Sequence, residues 1–162
     1  VEEYERIAKL ICTPPLAIKT VCKKVLSTIE YNVPLIDVIE YGYKSGFSNI
    51  PIFKNGMLIG VANGQKILDV IGKKIYEKRD IMDYMKNTTI EEVLREFSNE
   101  NYYTIASENI TLDKVLNLFT ENRKLLVVII TRTGTLLEPP VGIIVLSDIM
   151  DINKILDNYT NE

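Results

Sequence analysis

The stretch STIEYNVPLIDVIEYGYKSGFSNIPIFK, residues 27–54, lies over TIASENITLDKVLNLFTENRKLLVVIIT, residues 104–131, without a gap and at a shift of 77. Asn32 falls on Asn109, Leu35 on Leu112, Val38 on Val115 and Ile52 on Ile129. Ile39 meets Leu116, Ile50 meets Val127 and Phe53 meets Ile130. Further on, Gly60-Val61-Ala62 meets Gly142-Ile143-Ile144 after a five-residue change in shift, and Ile67-Leu68 meets Ile149-Met150. Upstream, Thr20 to Leu26 is similar to Thr89 to Leu94. The identities are few, but the order of element types repeats: short strand, helix, strand, hairpin turn, strand, helix. The chain reads as one α/β unit used twice.

Local chemistry supports each element. In the first copy Asn32 can cap a helix with Pro34 in its first turn, where a missing N–H costs nothing. Leu35, Val38, Ile39 and Gly42 line one face, and Gly46 ends the helix. Ile50 to Phe53 is a strand, Lys54-Asn55-Gly56 a turn, and Met57 to Ala62 the returning strand. Ile67, Leu68, Ile71 and Ile75 mark a second helix from Gly64. The second copy offers Thr111 as cap, then Leu112, Val115, Leu116 and Phe119 as a buried face. Strands follow at Leu126 to Ile130 and Val141 to Val145, and Pro139-Pro140 should stiffen the longer hairpin between them. Ahead of both copies, Val1, Tyr4, Ile7, Ala8 and Ile11 have helical spacing, stopped by Thr13-Pro14-Pro15. The division is therefore 1–19 N-terminal helix and linker, 20–76 repeat 1, 77–88 a polar connector with Ile81, Met82 and Met85 for packing, 89–157 repeat 2, and 158–162 a tail. Each half has little apolar surface of its own, so the halves are expected to pack on each other with pseudo-two-fold symmetry.

Composition narrows the chemistry. Of 162 residues, 46% are hydrophobic and 25% charged, enough for a core and unlike a disordered chain. A net charge of −3 lacks the concentrated basic face that nucleic acid requires. Lys23-Lys24, Lys73-Lys74 and Lys78-Arg79 read as solvated surface. No apolar run approaches the length of a membrane span, so no membrane partner is expected. The opening Val1-Glu2-Glu3-Tyr4-Glu5 is acidic without the apolar core of a signal peptide and does not begin with Met, so an excerpt or processed product is expected. Cys12 and Cys22 are too few for a disulfide framework, and a reducing cytoplasm is the simplest setting. With no histidine, Ser-His-Asp and Cys-His nucleophiles cannot be built, nor can Cys/His zinc sites. Neither a Gly-x-x-x-x-Gly-Lys-Ser/Thr loop nor a Gly-x-Gly-x-x-Gly turn is present. No catalytic residue, metal ligand or cofactor is expected.

From Thr20 to Leu156, the strand-helix-strand-strand-helix unit in tandem resembles the pair of CBS (cystathionine-β-synthase) domains known as a Bateman module. Its sharpest signature is Gly142-Ile143-Ile144-Val145-Leu146-Ser147-Asp148-Ile149, which is similar to the family's strand-to-helix motif of Gly, an apolar pair, Ser/Thr, two residues, Asp and an apolar residue. Ser48-Asn49-Ile50-Pro51-Ile52 resembles the approach to the second strand. The resemblance implies a regulatory module, not an enzyme, that binds AMP, ADP, ATP or cyclic di-AMP in the cleft between the repeats. It also implies a homodimer and a fused or separate effector protein that receives the packing change.

The motif has a physical sense. A carboxylate in the first turn beyond a strand can accept both hydroxyls of a ribose, as acidic residues do in dinucleotide-binding folds. The N–H groups of that turn suit a phosphate. The resemblance places Asp148 and Ser147 at the ribose and Ile105, Ala106, Val127 and Val128 around the adenine. The alternative is structural: Ser147 and Asp148 make a good helix start, and the four apolar residues make good core. Val145 stands where the family has Ser or Thr. In copy one, Ile50 and Pro51 correspond to the slot, while Asn63 and Lys66 replace Ser/Thr and Asp. Lysine accepts no hydrogen bond, so Lys66 can meet a phosphate but cannot hold a ribose diol.

Overall fold

Where the first helix starts is decided by a segment far along the chain. The computed structural model describes residues 22, 27–98, 101–145 and 147–148. The expected N-terminal helix, the helix beyond Asp148 and the tail lie outside the described residues. The chain divides into two compact units, Leu26–Glu100 and Asn101–Glu162 together with Val1–Val25.

In the first unit, β1 (Ile29–Glu30) leads to α1 (Leu35–Ser45). The helix cap is Pro34, not Asn32, and it makes no side-chain cap bond. Backbone from further along replaces it: the Leu35 N–H donates to the Thr88 carbonyl at 2.9 Å, and the Ile90 N–H to the Val33 carbonyl at 2.8 Å. A side-chain cap is unnecessary where a bridged segment meets the end of the helix. Gly46 closes α1 in the left-handed region at φ 74, its N–H bonded to the Gly42 carbonyl.

Strands β2 (Asn49–Lys54) and β3 (Met57–Asn63) form a hairpin on a two-residue turn. Asn55 at φ 51 and Gly56 at φ 77 give it the positive-φ pair that matches strand twist. The sheet order is β1-β2-β3, with β1 parallel and β3 antiparallel to β2. Then come α2 (Gly64–Tyr76), α3 (Ile81–Asn87) and α4 (Ile90–Arg95). Thr89 and Glu92 make a reciprocal capping box on α4, whose Ile90 and Val93 are fully buried. Since α4 packs on β3 and α1, the boundary expected at residue 89 falls inside this unit.

The second unit repeats the pattern with β4 (Tyr103–Ser107), α5 (Leu112–Glu121), β5 (Val127–Thr131) and β6 (Gly142–Val145), in sheet order β4-β5-β6. Thr111 sits at the cap of α5, but its hydroxyl bonds the Asp113 carboxylate and not a helix N–H. The long β5–β6 hairpin is organised by Glu138. One carboxylate oxygen of Glu138 accepts from the hydroxyls of Thr131, Thr133 and Thr135 and from the amides of Thr133 and Thr135. The Thr133 hydroxyl leads these bonds in lowering the Glu138 pKa to about 2.

The strand registers correct the ungapped alignment. Asn49 pairs with Asn63 and Ile50 with Ala62, whereas Val127 pairs with Val145 and Val128 with Ile144. Ile50 therefore corresponds to Val128, not Val127. The second copy therefore carries one more residue between Leu112 and Val128 than the first does between Leu35 and Ile50. Alternation gives the same result: Ala106, Val128, Ile130 and Ile144 join Val115 and Phe119 of α5 in one core cluster. A one-residue slip moves every side chain to the other face, so this difference decides which residues can meet a ligand.

Lys74, expected on the solvated surface, is only 7% exposed. Its Nζ donates to Glu96 Oε1 at 2.7 Å and lies 5.1 Å from the Tyr84 ring centre, while the Tyr84 hydroxyl donates to Glu96 Oε2 at 2.5 Å. The network ties α2 and α3 to the end of α4. Burial raises the Glu96 carboxyl, but the bonds from Lys74 and Tyr84 outweigh it and hold the group below the usual carboxylate range. Glu96 thus contributes stability above the unfolded carboxylate pKa and loses it as pH falls through the folded value. Glu96→Gln should destabilise the protein by about 1–3 kcal/mol near neutrality, since the buried Lys74 ammonium loses its nearer counter-charge and keeps only Glu77, at 3.9 Å. Thermal melts should show the gap to the native protein narrowing as pH falls from about 4.5 through the lowered folded pKa of Glu96, below which both proteins carry a neutral group.

Candidate functional site

The corner where β6 turns into the next helix has N–H groups that the helix cannot satisfy internally. Val145 ends β6, and Ser147 and Asp148 are already helical. Asp148 Oδ2 accepts the Val145 N–H at 2.9 Å. This is half of a capping box, in which an acidic residue in the first turn reaches back to the cap residue's own amide. Asp148 is 3% exposed, while Ser147 is exposed.

The first copy solves the same corner with the opposite half of that device. Asn63, the cap residue of α2, accepts the Lys66 N–H on Oδ1 at 3.1 Å. Its Nδ2 donates to Asn49 Oδ1 at 2.7 Å. Lys66 Nζ donates to Ser98 Oγ at 3.1 Å. A capping side chain at the cap position makes an acid three residues on unnecessary. Where the cap residue is Val145, with no side-chain acceptor, the acid supplies the bond. The Asp148-for-Lys66 difference is thus one of helix capping as well as of any ligand.

The expected apolar slot splits across two faces. Ala106 and Val128 are packed under α5 in the core cluster. Ile105 and Val127 lie on the opposite face of the same sheet, because successive strand residues alternate. Ile50 likewise faces α1 and α2, lining an apolar cleft of about 390 Å³ with Val38, Phe47, Ala62, Ile67 and Ile71. Pro51 is buried on the other side of β2. The register row Tyr103, Val127, Val145 runs to the Asp148 corner, so Tyr103 belongs to this end of the sheet. Burial raises its hydroxyl pKa, and its ring meets Tyr102 edge-on at 5.1 Å. The sequence shows Tyr102 and Tyr103 only as an aromatic pair; pairing to β5 puts Tyr103 beside the candidate site. Among the described residues no cluster of His, Cys, Asp and Glu could hold a metal ion.

No family model matches the sequence, and no curated protein matches it. Comparison of structures gives a clear result. A CBS domain-containing protein of unknown function from Bacillus anthracis superposes with a TM-score of 0.64 at 16% identity, over 85% of this chain and 92% of the other. The CBS domain of a bacterial CNNM/CorC family Mg2+ transporter in complex with ATP superposes at 0.63 with 18% identity, over 93% of each chain. A protein from Methanocaldococcus jannaschii, described as a proposed archaeal homologue of g-AMPK, reaches 0.63 at 16% identity over 84% of this chain. The chain spans about half the length of that protein, 47%. The fold is that of a tandem CBS module, as the sequence motif implies.

Asp148→Ala should lower the ligand-free melting stability by about 0.5–2 kcal/mol, the cost of losing a helix cap. Asp148→Asn keeps an acceptor for the Val145 amide and should recover most of that loss in the same melts.

Proposed function

We propose that the chain is a regulatory module that binds an adenosine-type nucleotide at the corner following β6. Asp148 would accept the ribose hydroxyls, with Ser147 beside it and Ile105, Val127 and Tyr103 along the adjoining sheet edge. The observation that carries this reading is a carboxylate held in the first turn beyond β6, at the row formed by Tyr103, Val127 and Val145. A structure of the same fold in complex with ATP supports it. The first copy has no carboxylate at the matching position, and its Asn63 and Lys66 are engaged by Asn49 and Ser98. One nucleotide per chain is therefore expected. Its binding would shift the packing of the module and pass that shift to a partner or fused domain, through unequal affinity for the two packings.

Melts with AMP, ATP and cyclic di-AMP test the reading. A nucleotide at a hundred times its Kd stabilises the folded state by about 2.7 kcal/mol. For a chain of this size that is a rise of roughly 5–10 °C. No rise with any of the three at millimolar concentration would retire the proposal.

A second reading, a dimerisation scaffold, is favoured by the apolar cleft between α1 and α2 and its rim. Tyr43 is 88% exposed, Leu68 59% and Ile39 36%. In this reading the module is a ligand-free scaffold for dimerisation or protein docking. Leu68→Asp should convert a dimer to a monomer in light scattering without altering the fold by circular dichroism. A native protein that is already monomeric at high concentration would refute the scaffold reading.

A further inference from the structure

The β5–β6 hairpin carries more order than its own apolar groups explain. Leu136, Leu137 and Val141 are 43%, 71% and 46% exposed, so little of that order comes from burying them. Polar bonds hold the loop instead. The Glu138 carboxylate gathers the hydroxyls of Thr131, Thr133 and Thr135, and the Thr131 hydroxyl oxygen accepts the Gly134 and Thr135 amides at 2.8 and 3.1 Å. The base is fastened to the end of β4: the Glu108 N–H donates to the Thr131 carbonyl at 2.8 Å, and the Ser107 hydroxyl to the Arg132 carbonyl at 3.2 Å. Gly134, at φ 85, lies so close that a Cβ there would stand 3.1 Å from the Ser107 amide nitrogen. The result is a braced loop that shows two adjacent leucines to solvent. An apolar tip fixed in advance loses little freedom when it docks.

The first unit holds the complementary shape. The cleft of about 390 Å³ between α1 and α2 has Ile50 and Ala62 at its floor and the exposed Ile39, Tyr43 and Leu68 at its rim. Flat contact would leave that floor unfilled and forfeit its packing, so the cleft takes a convex group. Among the described residues, Met57 and Met82 are exposed singly, and Ile75 and Tyr76 end α2, itself a wall of the cleft. Leu136 and Leu137 remain as a paired apolar tip. No charged side chain lines the cleft, and residues 134–137 carry none, so docking strips water from no ion.

We propose, resting on the scaffold reading above, that the α1–α2 cleft of one copy takes the Leu136-Leu137 knuckle of a second copy. The contact is heterologous: two different surfaces meet, and each copy carries one of each. One knuckle in one cleft buries less than the roughly 1,200 Å² at which stable interfaces begin, so association is weak and follows protein concentration.

Light scattering on the full chain at rising concentration tests the pairing, with Leu137→Asp removing the knuckle and Leu68→Asp spoiling the cleft. Both positions are on the surface; circular dichroism checks each fold, and Leu137→Gln and Leu68→Gln replace a variant that fails to fold. The native chain should associate, and either variant alone should do so about tenfold or more weakly. An equimolar mixture of the two variants should form dimers again, because one keeps its knuckle and the other its cleft. A cleft-to-cleft dimer cannot give that recovery. If Leu137→Asp associates as strongly as the native chain while Leu68→Asp does not, the knuckle is overturned and the scaffold reading stands. Variants that are monomeric alone and stay so when mixed, where the native chain associates, also overturn the pairing. A native chain that remains monomeric ends both readings.

Discussion

A helix that begins where a strand ends leaves amide groups that neither element can satisfy, and both copies of this fold turn on that corner. The first copy answers with Asn63, whose side chain takes the Lys66 amide. The second answers with Asp148, whose side chain takes the Val145 amide. Either half of the capping box suffices, and each frees the other position to vary. The position freed in the first copy holds Lys66; the position freed in the second holds Val145. What first reads as two departures from one motif is a single requirement met from opposite ends.

The same corner sets the terms for any ligand. A carboxylate that caps a helix and is nearly inaccessible must exchange one set of bonds for another before it can hold a ribose. The fold that carries this corner is shared with CBS domains of 16–18% identity.

Strand alternation governs the rest. Val127, Val128, Ile129 and Ile130 are all at most 1% exposed, so β5 is buried on both faces and its hydrophobicity carries no sign of which face each residue takes. Each such side chain contributes about 1.5–3 kcal/mol by burial, enough to hold the register firmly once hydrogen bonding has chosen it. The ungapped match of the two copies misses one inserted residue before β5 and so sets Ile50 on Val127. The ladder pairs Ile50 with Ala62 and Val128 with Ile144, and only then do Ala106 and Val128 separate from Ile105 and Val127.

By itself the sequence determined the repeat, the helix and strand periods, the Asn55-Gly56 turn, the Gly46 stop and the Asp148 motif, because each depends on residues close together along the chain. Only the tertiary structure decided that Pro34 replaces Asn32 as the cap, that α4 packs with the first unit, and that Lys74 is buried against Glu96 and Tyr84. It alone placed Cys22 on the second unit and Tyr103 at the row of Val127 and Val145. The physical reason is common to all of them. A capping partner, a counter-charge or a register neighbour is supplied by residues distant in sequence, and local periodicity carries no information about which distant segment will supply it.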